Sequence, residues 1–305
     1  MDHHKQKMSA ALLSVASNTV LVGAKLAIGL VSGSVSILSE AVHSSIDLVA
    51  AVLAWFSVRE AGKPADEKHP YGHGKIENVS GTIEALLIFG AAIYIIWAAV
   101  RKLISGSVGM EELGLGAAVM GASALVNYLV SRHLLKVAIK SDSIALKADA
   151  MHLRTDVYTS LGVLAGLGVI KITGLTILDP LVAIGVALLI IKAAYDLTKN
   201  AFSPILDVKL PDDEEAIIHE VLAEHATEFL EFHKLRTRKA GHVRHIDLHL
   251  VVPKDMRVET AHVLSHTITV GISSRLANSN ILVHIDPCLR VCAGCAVNCA
   301  KKDQW

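Results

Sequence analysis

The sequence has few charged residues: Asp, Glu, Lys and Arg make up 19% of its 305 residues, whereas hydrophobic residues make up 52%. This composition is too apolar for an ordinary soluble enzyme and is typical of a membrane protein with a soluble part. An excess of either sign of charge is also lacking, because 29 basic residues balance 29 acidic ones. The net charge therefore gives no indication of a nucleic-acid partner and does not constrain the sign of a substrate.

Cysteine is scarce and confined to the end of the chain, at Cys288, Cys292, Cys295 and Cys299. None of these residues could cross-link the core, so we expect a fold that does not depend on disulfide bonds. The Cys292-x2-Cys295 spacing is similar to that of zinc knuckles, and in a reducing cytosol such a pair binds metal more readily than it forms a disulfide. An unstructured tail explains these residues equally well.

Long apolar runs are abundant, and they lie at about 9–31, 36–58, 79–101, 113–131, 149–171 and 177–198. Each is close to the ~20 residues that a helix needs to cross ~30 Å of hydrocarbon. We therefore predict six transmembrane spans, preceded by a polar N-terminus without a cleavable signal. An even number of spans returns both termini to the same compartment.

Basic residues indicate the orientation of these spans. They are frequent in the links near 59–75 and 132–147, and they are rare on the opposite side, where they are Arg101, Lys102 and Lys171. The cytosolic links of membrane proteins carry the excess of Lys and Arg. We therefore expect both termini and the two longer links to be cytosolic.

A short pattern occurs twice inside these apolar runs, at residues 40–47 and 149–156: an acidic residue, Ala, an apolar residue, His, three further residues and Asp. On a helix, His and Asp four positions apart project from the same face. Two such helices facing each other would bring together the side chains of His43, Asp47, His152 and Asp156. Two imidazoles and two carboxylates suit a borderline divalent ion, with Zn²⁺ the first expectation and Fe²⁺ or Mn²⁺ the next.

Each His–Asp pair could instead be a hydrogen bond within one helix. Ionisable groups inside a membrane-length run are costly and usually mark a functional site, and here the pattern is duplicated. Both observations favour a metal site. In the neighbouring runs, Asn18, Lys25 and Glu84 either line a water-filled path or are accounted for by pairing between helices and, for Lys25, by reaching out to the membrane surface.

The link after the second run contains Asp66, His69 and His73. Pro70 and two nearby glycines exclude a helix and favour an ordered turn. The three side chains either converge on one ion or belong to a solvated charged loop. Their spacing alone does not decide between these interpretations.

From about residue 209 the composition becomes that of a small soluble domain. The predicted elements are a helix to about 225, strands at about 232–238 and 244–252, a helix at about 258–276 and a strand at 281–286. Alternation along the last two strands puts His249, and His284 with Asp286, on exposed faces. This order predicts a two-layer α+β domain whose open sheet face binds metal or a second subunit, or is a passive dimerisation surface.

Taken together, these motifs resemble the cation diffusion facilitator family of divalent-metal/proton antiporters over nearly the whole chain. The matching pieces are Gly33-Ser34, His43 to Asp47, His69-Pro-Tyr-Gly-His73-Gly-Lys75, His152 to Asp156, and His284-Ile-Asp286-Pro287-Cys288. The resemblance implies a secondary transporter rather than an enzyme. It also implies a homodimer in a lipid bilayer, the bacterial inner membrane, with protons as the counter-ion.

The fold implied by the resemblance has two domains and a tail. Residues 1–208 are expected to form an all-α transmembrane domain of six helices. Residues 209–290 are expected to form a cytosolic ferredoxin-like α+β domain, similar to metallochaperones. Of the four cysteines, Cys288 alone matches the family. The Cys-containing tail that follows it, residues 291–305, is not a feature of the family.

The resemblance also implies three metal sites. The family's intramembrane transport site is matched by His43, Asp47, His152 and Asp156, and its loop site by Asp66, His69 and His73. The cytosolic site, where metal bridges the dimer in bacterial zinc transporters, is matched by His233, His249, His262, His284 and Asp286. Lys75 and Asp207 resemble a charge pair that ties the loop to the start of the cytosolic domain.

His43 departs from many bacterial relatives, which have Asp at this position, and the position is linked in the family to metal choice. Histidine there is similar to the zinc-preferring form. We therefore expect efflux of Zn²⁺ from the cytosol, with zinc as both substrate and regulator. Export of Fe²⁺ or Mn²⁺ is the alternative within the family, with Cd²⁺ a further ion, and a membrane metalloenzyme or metal sensor is the alternative from another class.

Overall fold

The computed structural model describes residues 2–32, 35–105, 115–173 and 178–288. The chain divides into two compact units, Met1–Ser203 and Pro204–Trp305. The first unit consists of six long helices: α1 (Asp2–Ser32), α2 (Val35–Ala61), α3 (Lys75–Ser105), α4 (Leu115–Ser141), α5 (Ile144–Thr173) and α6 (Leu178–Phe202). The predicted helical transmembrane domain is therefore confirmed, with one helix for each apolar run.

Four helical stretches among the described residues are long and apolar enough by themselves to cross a membrane: His4–Val31, Ala41–Ala61, Lys75–Arg101 and Pro180–Leu206. The helices α4 and α5 do not supply such a stretch among these residues. Their described parts carry ionisable side chains, such as Arg132 and Lys136 in α4 and Asp149 and Asp156 in α5. In α5 these charges belong to the repeated motif, so the site itself lowers the apolar character of its helix.

Small residues hold the bundle together. One cluster joins α3, α5 and α6 through Ala85, Ile88, Ala92, Ala148, Ile190, Ala194 and Leu197. A second cluster joins α1, α2, α4 and α5 through Ala10, Ala11, Val58, Ala138, Ala145 and Leu146. Alanine lets helix backbones approach closely, which is how helices associate where water supplies no hydrophobic driving force. The two clusters bring the motif-bearing helix α5 against its neighbours on both sides.

A buried polar network fastens three helices near the end of the bundle that carries the Gly62–Gly74 link. Lys7 of α1 forms an ion pair with Glu77 of α3 at 3.0 Å, and the Ser143 hydroxyl, just before α5, donates to the same carboxylate at 2.5 Å. All three side chains are buried. Because each charge has a partner, this network meets the requirement for placing ions inside a protein.

The second unit contains a three-stranded sheet and two helices. After a 3-10 turn at Ser203–Leu206 come α7 (Asp212–Glu224), β1 (Glu231–Ala240), β2 (Val243–Val252), α8 (Val258–Arg275) and β3 (Ser279–Pro287). The sheet order is β1-β2-β3, with β1 antiparallel and β3 parallel to β2. A parallel pair needs a crossover connection, and α8 supplies it. The predicted α-β-β-α-β order and two-layer α+β architecture are confirmed.

The core of this unit lies between the helices and one face of the sheet. From β2 it contains Ile246, Leu248 and Leu250, which alternate with His245, Asp247 and His249 along the strand. The helices contribute Ile218, Val221, Leu222, Leu264, Ile268 and Ile272. His245 is nevertheless buried, so the alternation is incomplete at the start of β2. The opposite face of the sheet is left for polar side chains.

Candidate metal centres

The repeated motif brings two helices together inside the bundle. On α2 and α5, His43, Asp47 and Asp156 each offer one ligand atom, and these three atoms lie within 4.8 Å of one another. His152 Nε2 lies 3.1 Å from Asp47 Oδ1. Three of the four residues of the predicted transport site therefore form one cluster, and the fourth, His152, contacts Asp47 of that cluster. Asp47 and His152 are only 4% and 7% exposed, so the convergence is in the interior of the transmembrane domain.

The contact between His152 and Asp47 joins α5 to α2. This bond runs between helices, whereas the alternative interpretation of the motif required bonds within each helix. In the described part of the chain, His152 Nδ1 and Asp156 Oδ2 are buried without a hydrogen-bond partner. Buried polar atoms in proteins are almost always satisfied, so these two atoms call for a ligand. Two imidazole nitrogens and two carboxylate oxygens fit a tetrahedral divalent ion.

A buried lysine lies next to this site. Lys25 of α1 donates a hydrogen bond to the Ser44 hydroxyl at 2.7 Å, and its charge acts on Asp156. Its side chain is buried, so the interpretation of Lys25 as reaching out to the membrane surface is wrong. The ammonium offsets part of the negative charge that two carboxylates bring into the bundle. Sequence spacing could not place it here, because its partner is on another helix.

The link between α2 and α3 forms the second predicted cluster. Asp66, His69 and His73 offer ligand atoms that lie within 4.8 Å of one another. The Asp66 carboxylate accepts hydrogen bonds from the backbone N–H of His69 at 2.7 Å and of Lys68 at 2.9 Å. Chiefly the His69 backbone bond holds the pKa of Asp66 below its usual value, so the carboxylate is charged and ready to bind a cation at neutral pH. Gly72, with φ of 82°, permits the turn that returns His73 to this cluster.

The third cluster lies on the open face of the C-terminal sheet. The strand register places His233 opposite His249 and His249 opposite His284. The Asp286 carboxylate is at the centre: it lies 2.8 Å from His249 Nδ1, 3.3 Å from His233 Nε2 and 3.2 Å from His284 Nε2. The hydrogen bond from His249, with the neighbouring histidines, lowers the pKa of Asp286. Three imidazoles and one carboxylate within this range form a donor set for a divalent ion.

One predicted ligand of the third cluster lies outside it, and the predicted charge pair stays a prediction. His262 lies on the exposed face of α8, where its ring is 6.4 Å from that of His266, and it is not part of the cluster at Asp286. Its role as a ligand stays a prediction, as does the pair of Lys75 and Asp207, whose members belong to different units. Cys288 is buried, and the other cysteines of the tail, Cys292, Cys295 and Cys299, lie outside the described residues.

Two further carboxylates lie in this bundle: Glu84, for which the sequence left a water-filled path or pairing between helices open, and Asp149, which the sequence did not assign to a site. Glu84 and Asp149 are fully buried carboxylates on α3 and α5. Asp149 is the first residue of the second motif, and its spacing to His152 was the only signal that could have pointed to it.

Comparison with known proteins agrees with this architecture. Residues 11–206 match the cation efflux transmembrane domain, and residues 210–288 match the cytoplasmic domain of cation efflux proteins. An uncharacterized transporter of Synechocystis sp. is 34% identical over 277 residues, 91% of this chain and 89% of that protein. The cation-efflux pump FieF of Cronobacter sakazakii is 31% identical over 287 residues, 94% of this chain and 95% of that protein.

A second FieF cation-efflux pump, from Yersinia pestis, is 31% identical and covers 92% of each chain. A solved structure of CzrB is 33% identical and covers 26% of this chain and 96% of its own, with a TM-score of 0.25, which is too low to support an argument. Proteins of this kind move cations and are not enzymes, so the expectation of a transporter is confirmed and the metalloenzyme alternative is set aside. The chain belongs to the cation efflux family of membrane transporters, the cation diffusion facilitators.

Proposed function

We propose that this transporter exports Zn²⁺ from the cytosol in exchange for protons, and that the ion binds between His43, Asp47, His152 and Asp156. The family gives the broader function, which is cation efflux. The observation that carries the proposal is that His43, Asp47 and Asp156 from two helices form one cluster, in which the buried Asp47 also contacts the buried His152. The C-terminal domain, whose family domain is associated with dimers, is the surface through which we propose that two copies assemble.

The donor set supports zinc over the other candidates. Two nitrogens and two oxygens in a four-ligand cage suit Zn²⁺, which has no geometric preference of its own and is usually tetrahedral. Mn²⁺ favours an octahedral shell of oxygen ligands, so it ranks lower, and Fe²⁺ is intermediate. His43 contributes to this preference, because a carboxylate in its place would leave one imidazole against three carboxylates.

Proton exchange follows from the chemistry of the ligands. An imidazole and a carboxylate must be free of protons to bind a metal ion, and imidazole titrates close to neutral pH. A site that exposes these ligands first to the cytosol and then to the outside would take up metal on one side and protons on the other. The His152–Asp47 hydrogen bond supports this scheme, because a proton on His152 gives Asp47 a partner when no metal is bound.

Flux in reconstituted vesicles tests the proposal. When protons flow down an imposed pH gradient, purified protein in liposomes should move Zn²⁺ in the opposite direction. A zinc-sensitive dye on one side and a pH-sensitive dye on the other measure the two movements. Liposomes without protein and liposomes with the gradient collapsed by an ionophore are the controls. Absence of zinc flux under a proton gradient would overturn the proposal, and faster flux of Mn²⁺ or Fe²⁺ than of Zn²⁺ would overturn the choice of ion.

A further inference from the structure

Glu84 of α3 and Asp149 of α5, called here the acidic pair, are two carboxylates for which the proposed transport site has no use. They are 0% and 1% exposed. Among the described residues, Glu84 Oε2 and both carboxylate oxygens of Asp149 have no hydrogen-bond partner. A carboxylate buried in this way inside a membrane bundle is costly, and such groups are kept when they contact an ion or a path for ions.

The two carboxylates lie on helices that pack against each other. Their chain neighbours Ala85 and Ala148 pack in one cluster between α3, α5 and α6. Glu84 lies within electrostatic range of Asp149 and His152. The charges that act on Asp149 are those of His152 and Asp47. The acidic pair is therefore coupled electrostatically to the transport site while lying outside its ligand cluster.

The acidic pair lies on the side of the transport site that faces the Gly62–Gly74 link. Asp149 precedes His152 by three residues, about 4.5 Å along the helix axis towards the start of α5. Two serines lie beside the acidic pair. The Ser80 hydroxyl donates to Glu84 Oε1 at 3.3 Å, and the buried Ser14 of α1 lies beside Asp149, outside hydrogen-bonding geometry. The ligand atoms that the acidic pair and its neighbours could offer to a cation are thus carboxylate and hydroxyl oxygens.

We propose that the acidic pair is a second intramembrane site for the transported divalent cation, a staging site in which the ion binds before it moves to the transport site. This inference rests on the proposed function. Oxygen donors hold divalent ions together with part of their water shell, whereas the imidazoles of the transport site replace that water. A staging site must bind weakly enough to release the ion onwards, which two carboxylates without an imidazole between them achieve.

Isosteric variants test this role. Glu84→Gln and Asp149→Asn keep the shape of each side chain and remove its charge. In proteoliposomes we expect each to raise the KM for Zn²⁺ at least fivefold and to change kcat less than twofold. Asn127→Ala is the matched control, because Asn127 is a buried polar residue of α4 with an unpartnered oxygen in the described structure but no charge. Its kinetics should match those of the unmodified protein.

Thermal unfolding of the same detergent-solubilised proteins separates a binding role from a structural one. Removing a charge that has no partner should leave Tm unchanged or raise it, so a lower Tm with unchanged KM would overturn the inference. An unchanged KM with a changed ratio of protons to zinc would also overturn it, because the acidic pair would then handle protons.

Equilibrium dialysis with Zn²⁺ alone keeps this inference separate from the proposed function. The unmodified protein should bind one more weakly held Zn²⁺ per chain than the Glu84→Gln/Asp149→Asn double variant does, whether or not flux is observed. Equal binding by the two proteins would contradict the staging site. Absence of flux together with the extra bound ion would overturn the proposed function and leave the second site standing.

Discussion

At the centre of the bundle, the side chains of Asp47 and His152 share a hydrogen bond that joins two helices, and two atoms beside it lack any partner among the described residues. Within hydrocarbon, this arrangement is unfavourable unless the ligands bind an ion or a proton. The four side chains of the motif are therefore better explained by what passes through the site than by its contribution to folding.

Removing one carboxylate should abolish transport without unfolding the protein. Asp47→Ala or Asp156→Ala takes away one of four ligands, and we expect Zn²⁺ flux in proteoliposomes to fall at least tenfold. Size-exclusion chromatography should show an unchanged elution volume. Asp196→Ala, which removes an exposed aspartate of α6, should transport normally. Near-normal flux in either motif variant would mean that the ligands lie elsewhere.

Replacing His43 tests the choice of ion. His43→Asp exchanges a nitrogen ligand for an oxygen, adds a negative charge and shortens the side chain, so the site gains room for a larger ion. We expect the ratio of Cd²⁺ to Zn²⁺ flux to rise at least threefold, measured by competition in the same vesicles. An unchanged ratio would remove His43 from the argument for zinc.

Sequence spacing was sufficient to predict that the side chains of each His–Asp pair lie close together, because His and Asp one turn apart share a helix face whatever the fold. It was not sufficient for Lys25, whose partner Ser44 is on the next helix, or for Glu84, whose neighbour Asp149 is on α5. A contact between helices depends on how the helices rotate against each other, and a single sequence does not give that rotation.

At the scale of elements, the start of α7 is held by Glu215, which receives an ion pair from Lys209 at 2.8 Å and a hydrogen bond from the Thr237 hydroxyl at 2.7 Å. The same hydroxyl accepts the Leu210 backbone N–H at 3.0 Å. The contact with Lys209, with that of Thr237 in support, lowers the pKa of Glu215 from its ordinary value of 4.5. This network connects α7 to β1.

A lowered pKa in the folded state has a definite consequence for stability. The charged Glu215 stabilises the C-terminal domain above its unfolded pKa of 4.5, and this contribution is lost as the pH falls through the lower folded value. We expect Glu215→Gln to cost about 1 kcal/mol at pH 7, the usual net contribution of one intramolecular hydrogen bond. The difference should vanish well below pH 4.5.

Urea unfolding of residues 204–305, followed by circular dichroism across this pH range, measures the effect. Glu220→Gln is the matched control, because Glu220 is an exposed acid of the same helix with a long contact of 4.0 Å to Arg275. An exposed ion pair contributes little, so this control should follow the unmodified domain at every pH. A Glu215→Gln difference that stayed constant with pH would show that the ion pair is not its source.

The alternation of apolar and polar residues predicted the elements of the C-terminal domain better than it predicted their arrangement. It located β2 and β3 and the side chains of His249, His284 and Asp286. It could not show that β3 runs parallel to β2, which follows from the crossover through α8. The parallel register is what places His284 directly beside His249, so the sequence identified the exposed side chains without their geometry.

For the whole molecule, clusters of side chains that could hold a metal ion lie at three levels of the described chain: within the transmembrane helices, in the Gly62–Gly74 link and on the C-terminal sheet. Each cluster combines imidazoles with at least one carboxylate. The transmembrane domain is largely apolar, so the carboxylates of these clusters give a divalent cation favourable charge within it and next to it. This distribution fits a protein that handles the same ion more than once.

Zinc on the C-terminal sheet should also control dimerisation. His233, His249, His284 and Asp286 form one cluster, while His262 is exposed outside it and could contribute from a second subunit. A ligand that binds only the assembled form stabilises it by RT ln(1 + [L]/Kd), or ~2.7 kcal/mol at about a hundredfold excess over Kd. The domain would then tighten the dimer, and promote transport, as cytosolic zinc rises.

Analytical ultracentrifugation and small-angle scattering of residues 204–305 can measure this response. The domain has its own core, so it is suitable for study alone. Zinc should lower the dimer Kd by about a hundredfold under these conditions and make the particle more compact. The His249→Ala/His284→Ala double variant should lose the response, whereas His225→Ala, which removes a histidine paired with Glu228 outside the cluster, should keep it. Unchanged dimer affinity and compactness with zinc, together with unchanged zinc stoichiometry in the double variant, would leave the domain as a passive dimerisation surface.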